Sequence, residues 1–541
     1  MKQVIKPWQK YSVYQIYPLS YQDANGDGIG DINGIISRLE YIQNLGIDVI
    51  WLSPIYESPM DDNGYDISNY YEINPMFGTK DDFQRLLSKV HELGMRLIMD
   101  LVVNHTSDMH PWFLESQKSI DNPYRDYYIW RKEATQIGSV FSGPAWQFQE
   151  ETGEYFFHLF SKRQPDLNWQ NEKLRQEIYK MINYWLDFGV DGFRLDVIDL
   201  IGKDVDTFRI GDGPYLNQYL KEMYDTCFKG RDTFTVGEMP SVSIERTREI
   251  TDLEHGYLNM IFHFGHLGYD EIPGQGKWAL KEVDYPSFFK HFQNLQKDLF
   301  ESGWNSLFFE NHDQPRSVSR YGSLAHRKKS AKALMTFLYM MQGTPYIYQG
   351  QEIGMTNTPM TDINDYRDIE TLNMYRDKIE HHVDKEEIMR SILAKSRDNA
   401  RTPMQWDASM NAGFSNTTPW LSVNPNFHEI NVQADLKDPE GIYDYTKRLL
   451  TIRKTEDVLI NGEFVWCSSA AGKVAVYLRQ NDACSLLVIS SFDDQPNVID
   501  LSLYQDYELL LSNEETIVLS KKTELSPYHA SVWIKKEKEN D

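Results

Sequence analysis

The 541-residue chain predicts an α/β fold: a (β/α)8 TIM barrel with a subdomain inserted after its third strand and a C-terminal antiparallel β-sandwich. Three patterns carry that expectation. Eight short β-branched or aromatic runs alternate with segments of helical hydrophobic period, the mark of a parallel sheet covered by helices. The alternation is interrupted after the third run by a stretch rich in Trp, Tyr, Phe and Gly. From about residue 462 it gives way to closely spaced strands. The expected division is therefore barrel over 1–104, inserted subdomain over 105–173, barrel again over 174–461 and sandwich over 462–541.

In chain order the eight runs are VYQIY from Val13, VIWLSP from Val49, RLIMDLVVN from Arg96 and GFRLDV from Gly192. TFTVGE from Thr233, NMIFHF from Asn259, SLFFENHD from Ser306 and TPYIYQG from Thr344 complete them. Helical faces lie between them. Ile35, Leu39, Ile42 and Leu45 form one; Phe83, Leu86, Leu87, Val90 and Leu93 another; Ile178, Met181, Ile182 and Trp185 a third. A last barrel helix is expected over 442–454, and the strands VAVYLR, SLLVISSF, YELLLS and ASVWIKK build the sandwich. The charged end KKEKEND reads as a frayed tail.

Composition narrows the partners. The net charge of −25 repels phosphate backbones and anionic lipid, which argues against nucleic-acid or membrane partners. Hydrophobic residues at 41% support large cores. Three cysteines (Cys227, Cys467, Cys484) are too few for a disulfide framework and fit a reducing interior. The first residues contain no apolar signal-peptide core, and no run reaches the ~18 apolar residues of a membrane span. A cytoplasmic monomer is expected.

In such barrels the reactive side chains emerge from the C-terminal ends of the strands. Charged groups concentrate there: Asp100, Asn104 and His105 on the third, Arg194 and Asp196 on the fourth, Glu238 on the fifth, His312 and Asp313 on the seventh. Arg194 and Asp196 are two residues apart and share a strand face. Burying unpaired carboxylates is costly, so three acids from three strands at one mouth point to catalysis.

These residues carry a resemblance. DLVVNH (100–105), GFRLDVI (192–198), VGE (236–238) and NHD (311–313) resemble, in order and spacing, the four sequence blocks of the α-amylase superfamily, glycoside hydrolase family 13. QPDLNW (164–169), VGEMP, HDQPR, DYRDIETLNMY and RDNARTPMQW are similar to its oligo-1,6-glucosidase branch. The resemblance implies Asp196 as nucleophile, Glu238 as general acid/base and Asp313 as the third acid that steadies the transition state. One carboxylate must stay ionised and one must carry a proton, and Arg194 is expected to lower the pKa of Asp196. The resemblance further implies that Asp62 and Tyr65 grip and stack the non-reducing glucose and that His105 and His312 donate to its hydroxyls. Arg401 would pair with Asp62 and close the far wall, which permits only chain-end attack. Val197 goes with α-1,6 preference in this branch, and Lys277 is a candidate contact of the next sugar. The activity implied is a retaining exo-α-1,6-glucosidase acting on small oligosaccharides.

A second reading is a trehalose-6-phosphate hydrolase, a sister branch, which needs cations for a phosphate dianion. Residues 202–213 offer only Lys203 and Arg209. A third, a non-catalytic binding subunit, conflicts with the retained acids. Gln351 and the Phe309–Glu310 pair depart from the branch pattern, and Glu310 is expected to add charge near Asp313. Finally, DANGDGIGD (23–31) alternates oxygen donors: the side chains of Asp23, Asn25, Asp27 and Asp31, with the carbonyl of Ile29. That set suits a hard cation, Ca²⁺, in a structural role, although it is no EF-hand.

Overall fold

A computed structural model describes residues 4–468, 472–515 and 517–536. All eight expected runs form strands: β1 (Val13–Ile16), β2 (Val49–Leu52), β3 (Arg96–Leu101), β4 (Gly192–Leu195), β5 (Phe234–Glu238), β6 (Met260–Phe262), β7 (Ser306–Leu307) and β8 (Thr344–Tyr348). They pair in the order 6-5-4-3-2-1-8-7, every pair parallel. A parallel bridge between Ile261 and Asn305, with Ser306 Oγ donating to the Ile261 carbonyl at 2.8 Å, joins β6 to β7 and closes the barrel.

Strand alternation sorts the side chains. Val13, Val49, Trp51, Ile98, Phe234, Val236, Met260, Phe262 and Tyr346 pack together inside the barrel. Their neighbours Tyr14, Ile16, Ile50, Leu52, Leu97 and Met99 face the helical layer. The first expected helical face splits into α1 (Ile32–Ser37) and α2 (Leu39–Leu45). The break falls at Arg38, whose guanidinium donates twice to Gln22 Oε1 (2.6 and 2.9 Å) and lies 4.1 Å over Trp406. Helix α3 (Lys80–Glu92) starts in a capping box between Thr79 and Asp82. Helix α4 (Glu172–Phe188) starts at Asn171, which caps two amides, and ends at Gly189 in the left-handed conformation. Helices α5 (Arg327–Tyr339) and α6 (Ile442–Thr455) pack together on the far side.

The chain between β3 and β4 builds a helix, Pro111–Ser116, and a three-stranded antiparallel sheet of Trp130–Arg131, Glu154–Phe157 and Trp146–Gln149. Its base is tied to the strand ends by Thr106 N–H to the Pro165 carbonyl (3.2 Å) and Leu167 N–H to the Asn104 carbonyl (2.9 Å). Its core residues Trp146, Phe157 and Leu159 continue onto Leu200 and Val205 of the loop after β4, so this stretch overhangs the rim at the C-terminal ends of the strands.

Five antiparallel strands, β9 (Glu463–Trp466), β10 (Val474–Gln480), β11 (Cys484–Ser491), β12 (Glu508–Ser512) and β13 (Ala530–Lys536), form a C-terminal sheet in the order 9-10-11-13-12. One face (Ala475, Tyr477, Leu486, Val488, Val532) packs on the barrel, with Tyr477 Oη donating to the Phe337 carbonyl of α5 at 2.8 Å. The other face (Val476, Leu487, Ile489, Trp533) is covered by Leu501, Leu519 and the paired strands Asn497–Ile499 and Thr523–Leu525. Of the expected frayed tail, Lys535 and Lys536 belong to β13, and 537–541 lie outside the described residues. No described helix is long and apolar enough to cross a membrane.

Candidate active site

Alternation along β4 places Arg194 and Asp196 on the barrel's inner face, and the guanidinium becomes the hub of the rim. Arg194 Nη1 donates to Asp100 Oδ1 and Asp196 Oδ1, both at 2.7 Å, and Nη2 donates to Glu238 Oε2 at 2.5 Å. All four residues are buried. Asp100 is further held by Tyr65 Oη (3.0 Å) and Trp51 Nε1 (3.1 Å). One cation thus holds the ends of β3, β4 and β5 in register, and it leaves Asp196 and Glu238 as neighbours on either side of it.

The expected lowering of the Asp196 pKa is corrected. Burial is the largest influence and pushes its carboxyl well up; Arg194 opposes this, and the neighbouring charges of Glu238, Asp100 and Asp313 add to the rise. At Asp313 the balance reverses. Burial raises its carboxyl, but His312, Arg397 and Arg401 hold it well below the usual carboxylate range. His312 itself is pushed down to about 4 by burial, so it is neutral at pH 7 and the two guanidiniums supply the charge. Gln15 Nε2 lies 2.8 Å from His312 Nδ1, which assigns the proton to Nε2, 3.0 Å from Asp313 Oδ2. The His312 ring stacks with Tyr65, centroids 5.1 Å apart and planes 4° apart.

The far wall differs from expectation. Asp62 pairs with Arg397 and not with Arg401: Arg397 Nη2 is 2.9 Å from Asp62 Oδ1. Arg397 also reaches Asp368 (2.6 Å) and Asp313 (3.3 Å). Arg401 instead donates to Asp313 Oδ1 (2.8 Å) and to the His312 carbonyl (2.9 Å). The two arginines bound one short helix, Asp398–Arg401, and four residues of spacing places them on one face, one above the other.

These groups enclose a cavity of about 580 Å³. Asp62, Tyr65, His105, Asp196, Val197, Glu238, Lys277 and Asp313 line it; Arg194, His312 and Arg401 hold the lining carboxylates from behind. His105 Nε2 donates to the Tyr65 carbonyl (3.0 Å), so its proton is engaged within the wall. Lys277 is paired with Glu370 Oε2 at 2.5 Å. Val197 is a β-branched residue at φ +36°, and its amide donates to Glu238 Oε2 at 3.1 Å. Glu310 is drawn away from the cavity by Arg316 (3.1 Å) and the Ser317 amide, so it adds no charge beside Asp313.

Sequence reasoning missed Arg397, Asp368, Glu370 and the aromatic pair Phe141 and Phe160, whose rings (5.5 Å apart) form the wall beside Arg397. The signal was present in RDNARTP, where either arginine could face Asp62; only the orientation of the short helix decides between them.

The oxygen-rich loop 23–31 lies apart from the cavity. Asp23 accepts from the amides of Gly26 (2.6 Å) and Gly28 (2.8 Å) and from Ser415 Oγ (2.6 Å); Asp31 accepts from Ala24 (2.8 Å), Asn25 (3.1 Å) and Gly34 (2.7 Å). Three carboxylates and an amide are hard donors that suit Ca²⁺ chemically, but among the described residues no three His, Cys, Asp or Glu side chains converge as a metal-holding group.

Comparison with known proteins follows the same lines. Residues 15–462 match the family model described as alpha amylase, catalytic domain. An oligo-1,6-glucosidase of Parageobacillus thermoglucosidasius is 49% identical over 97% of this chain and 98% of its own. A glucan 1,6-alpha-glucosidase of Streptococcus pneumoniae is 47% identical over 97% and 98%. The crystal structure of the trehalose-6-phosphate hydrolase of Bacillus licheniformis superposes with a TM-score of 0.93 at 43% identity, covering 98% of this chain and 100% of that one.

Proposed function

Because the chain belongs to the α-amylase family, glycoside hydrolase family 13, we propose that it is a retaining, exo-acting α-glucosidase. It hydrolyses the α-1,6 bonds of isomaltose, panose and isomalto-oligosaccharides from the non-reducing end and releases glucose. The observation that carries this reading is the set Asp196, Glu238 and Asp313 on one cavity whose far end is shut by Asp62 and Arg397.

In this reading Glu238 gives a proton to the glycosidic oxygen as Asp196 attacks the anomeric carbon. The aglycone leaves as an alcohol and a glucosyl ester of Asp196 forms; Glu238 then takes a proton from water, which attacks the anomeric carbon, displaces the Asp196 carboxylate and restores the α configuration. Asp313, kept ionised by Arg397 and Arg401, holds sugar hydroxyls and steadies the cationic transition state. The closed end admits one glucosyl unit, which makes the action exo. Val197 beside the nucleophile shapes the next site, a difference of about 1–3 kcal/mol at most.

Against a phosphorylated substrate stands the state of the cations. Lys277, Lys395 and Arg397 on the cavity wall each have a carboxylate partner, at 2.5, 2.8 and 2.9 Å. Lys203 is buried on Asp166 at 2.8 Å. A dianion seated on that wall would have to break one of these pairs; Arg209, the other candidate cation, is exposed outside the wall and donates to the Asp212 carbonyl at 3.4 Å. A panel of isomaltose, maltose, sucrose and trehalose-6-phosphate tests the reading: turnover of isomaltose supports it, and turnover of the phosphorylated sugar alone overturns it.

We further propose a structural Ca²⁺ on the loop 23–31, on its donor chemistry, and a monomer in the cytoplasm, the compartment that three free cysteines fit.

A further inference from the structure

The closed end of the substrate cavity is a ring of contacts with two unlike halves. On the polar half, Arg397 Nη2 lies 2.9 Å from Asp62 Oδ1, and Gln164 Nε2 lies 3.2 Å from both Asp62 Oδ2 and His105 Nε2. On the aromatic half, the Arg397 guanidinium sits 4.9 Å over the Phe141 ring. Phe141 meets Phe160 at 5.5 Å with the planes steeply inclined, and Phe160 meets His105 at 5.3 Å, which completes the ring.

Behind the aromatic half lies a second cavity of about 640 Å³. Phe141 and Phe160 line it and the substrate cavity alike, so one layer of aromatic side chain separates the two. Trp146, Gln147, His158 and Asn373 also line the second cavity. An aromatic face beside amide and imidazole groups suits a pyranose ring, and the volume is in the ~300–1,000 Å³ range of small-molecule sites. The partition is held by its backbone. Ser139 Oγ accepts from the Phe141 amide (3.1 Å) and donates to the Phe160 carbonyl (2.7 Å), so one hydroxyl ties both aromatic residues together. The Val140 amide donates to the Leu159 carbonyl at 2.8 Å.

We propose that Phe141 and Phe160 are specificity-determining residues: they are the partition that makes the action exo, by shutting the substrate cavity off from a second cavity able to take the next glucosyl unit on the non-reducing side. This deepens the α-1,6-glucosidase reading above and rests on it. In an α-1,6 chain that next unit is attached at O6 of the bound glucose, so a group on O6 reports whether the partition is open.

The test uses isomaltotetraose and an isomaltotriose capped by a benzyl ether at O6 of its non-reducing unit. The parent chain should release only glucose from the first and spare the second. Phe141→Ala/Phe160→Ala should release isomaltose among the earliest products and raise turnover of the capped probe about tenfold or more, the scale on which a pocket wall discriminates. Asn373→Trp added to that double variant refills the second cavity and should restore release of glucose alone. Phe141→Leu keeps the wall apolar and should shift both readouts in the same direction by less; it decides the matter if the double variant does not fold. A variant with the parent's circular dichroism that still yields only glucose and spares the capped probe overturns the partition and leaves the glucosidase reading intact. A parent chain that turns over only trehalose-6-phosphate overturns both.

Discussion

Replacing Arg397 by Met removes the guanidinium that is paired with Asp62, Asp313 and Asp368 together. Asp62 and Asp368 are buried at 5% and 0% exposure, so their charges have no solvent to fall back on. Breaking a buried pair by deleting one partner costs about 3–5 kcal/mol, because the remaining charge is uncompensated. Urea unfolding at pH 7 should show a loss of that size, and KM for isomaltose should rise as the far wall opens. The pH dependence has a definite sign. Arg397 and Arg401 hold Asp368 below its ordinary range against the opposing effect of burial. A depressed carboxylate contributes stability that is present above its unfolded pKa of about 3.9 and is lost as the pH falls through the folded value. The deficit of the variant should therefore be full at neutral pH and narrow only in acid. A double-mutant cycle locates the partner. Asp62→Asn should couple with Arg397→Met by more than about 1 kcal/mol, and with Arg401→Met by less. Stronger coupling to Arg401 would refute the assignment of the far wall made from the 2.9 Å contact.

Asp196→Asn and Glu238→Gln should each lower kcat by orders of magnitude while circular dichroism and melting temperature stay near those of the parent; near-normal rates would remove them from the chemistry. The acid limb of kcat/KM should lie above the ordinary aspartate value of about 3.9, because burial raises Asp196; a limb at or below it would contradict that. Glu352 is buried, accepts from Tyr14 and Tyr41 at 2.7 Å each, and is raised to about 7 by burial. A raised carboxyl contributes stability below its unfolded pKa that is lost as the pH climbs through 7, so Glu352→Gln should gain on the parent between pH 5 and 8, by up to about 3 kcal/mol. Dialysis against a chelator should lower the melting temperature without abolishing hydrolysis, and an unchanged melting temperature would count against Ca²⁺ on loop 23–31.

What the linear order of residues determined is the barrel and the identity of its acids. Period-two alternation in eight runs places Arg194 and Asp196 on one face whatever the surroundings, and the blocks around Glu238 and Asp313 end their strands at the same rim. Periodicity is local, so it is legible before folding. Pairing across the site is not. Which arginine meets Asp62, 335 residues earlier in the chain, depends on how one four-residue helix docks against the rim. The sign of the Asp196 shift was likewise out of reach, because burial is the largest influence and exists only once the cavity walls have closed.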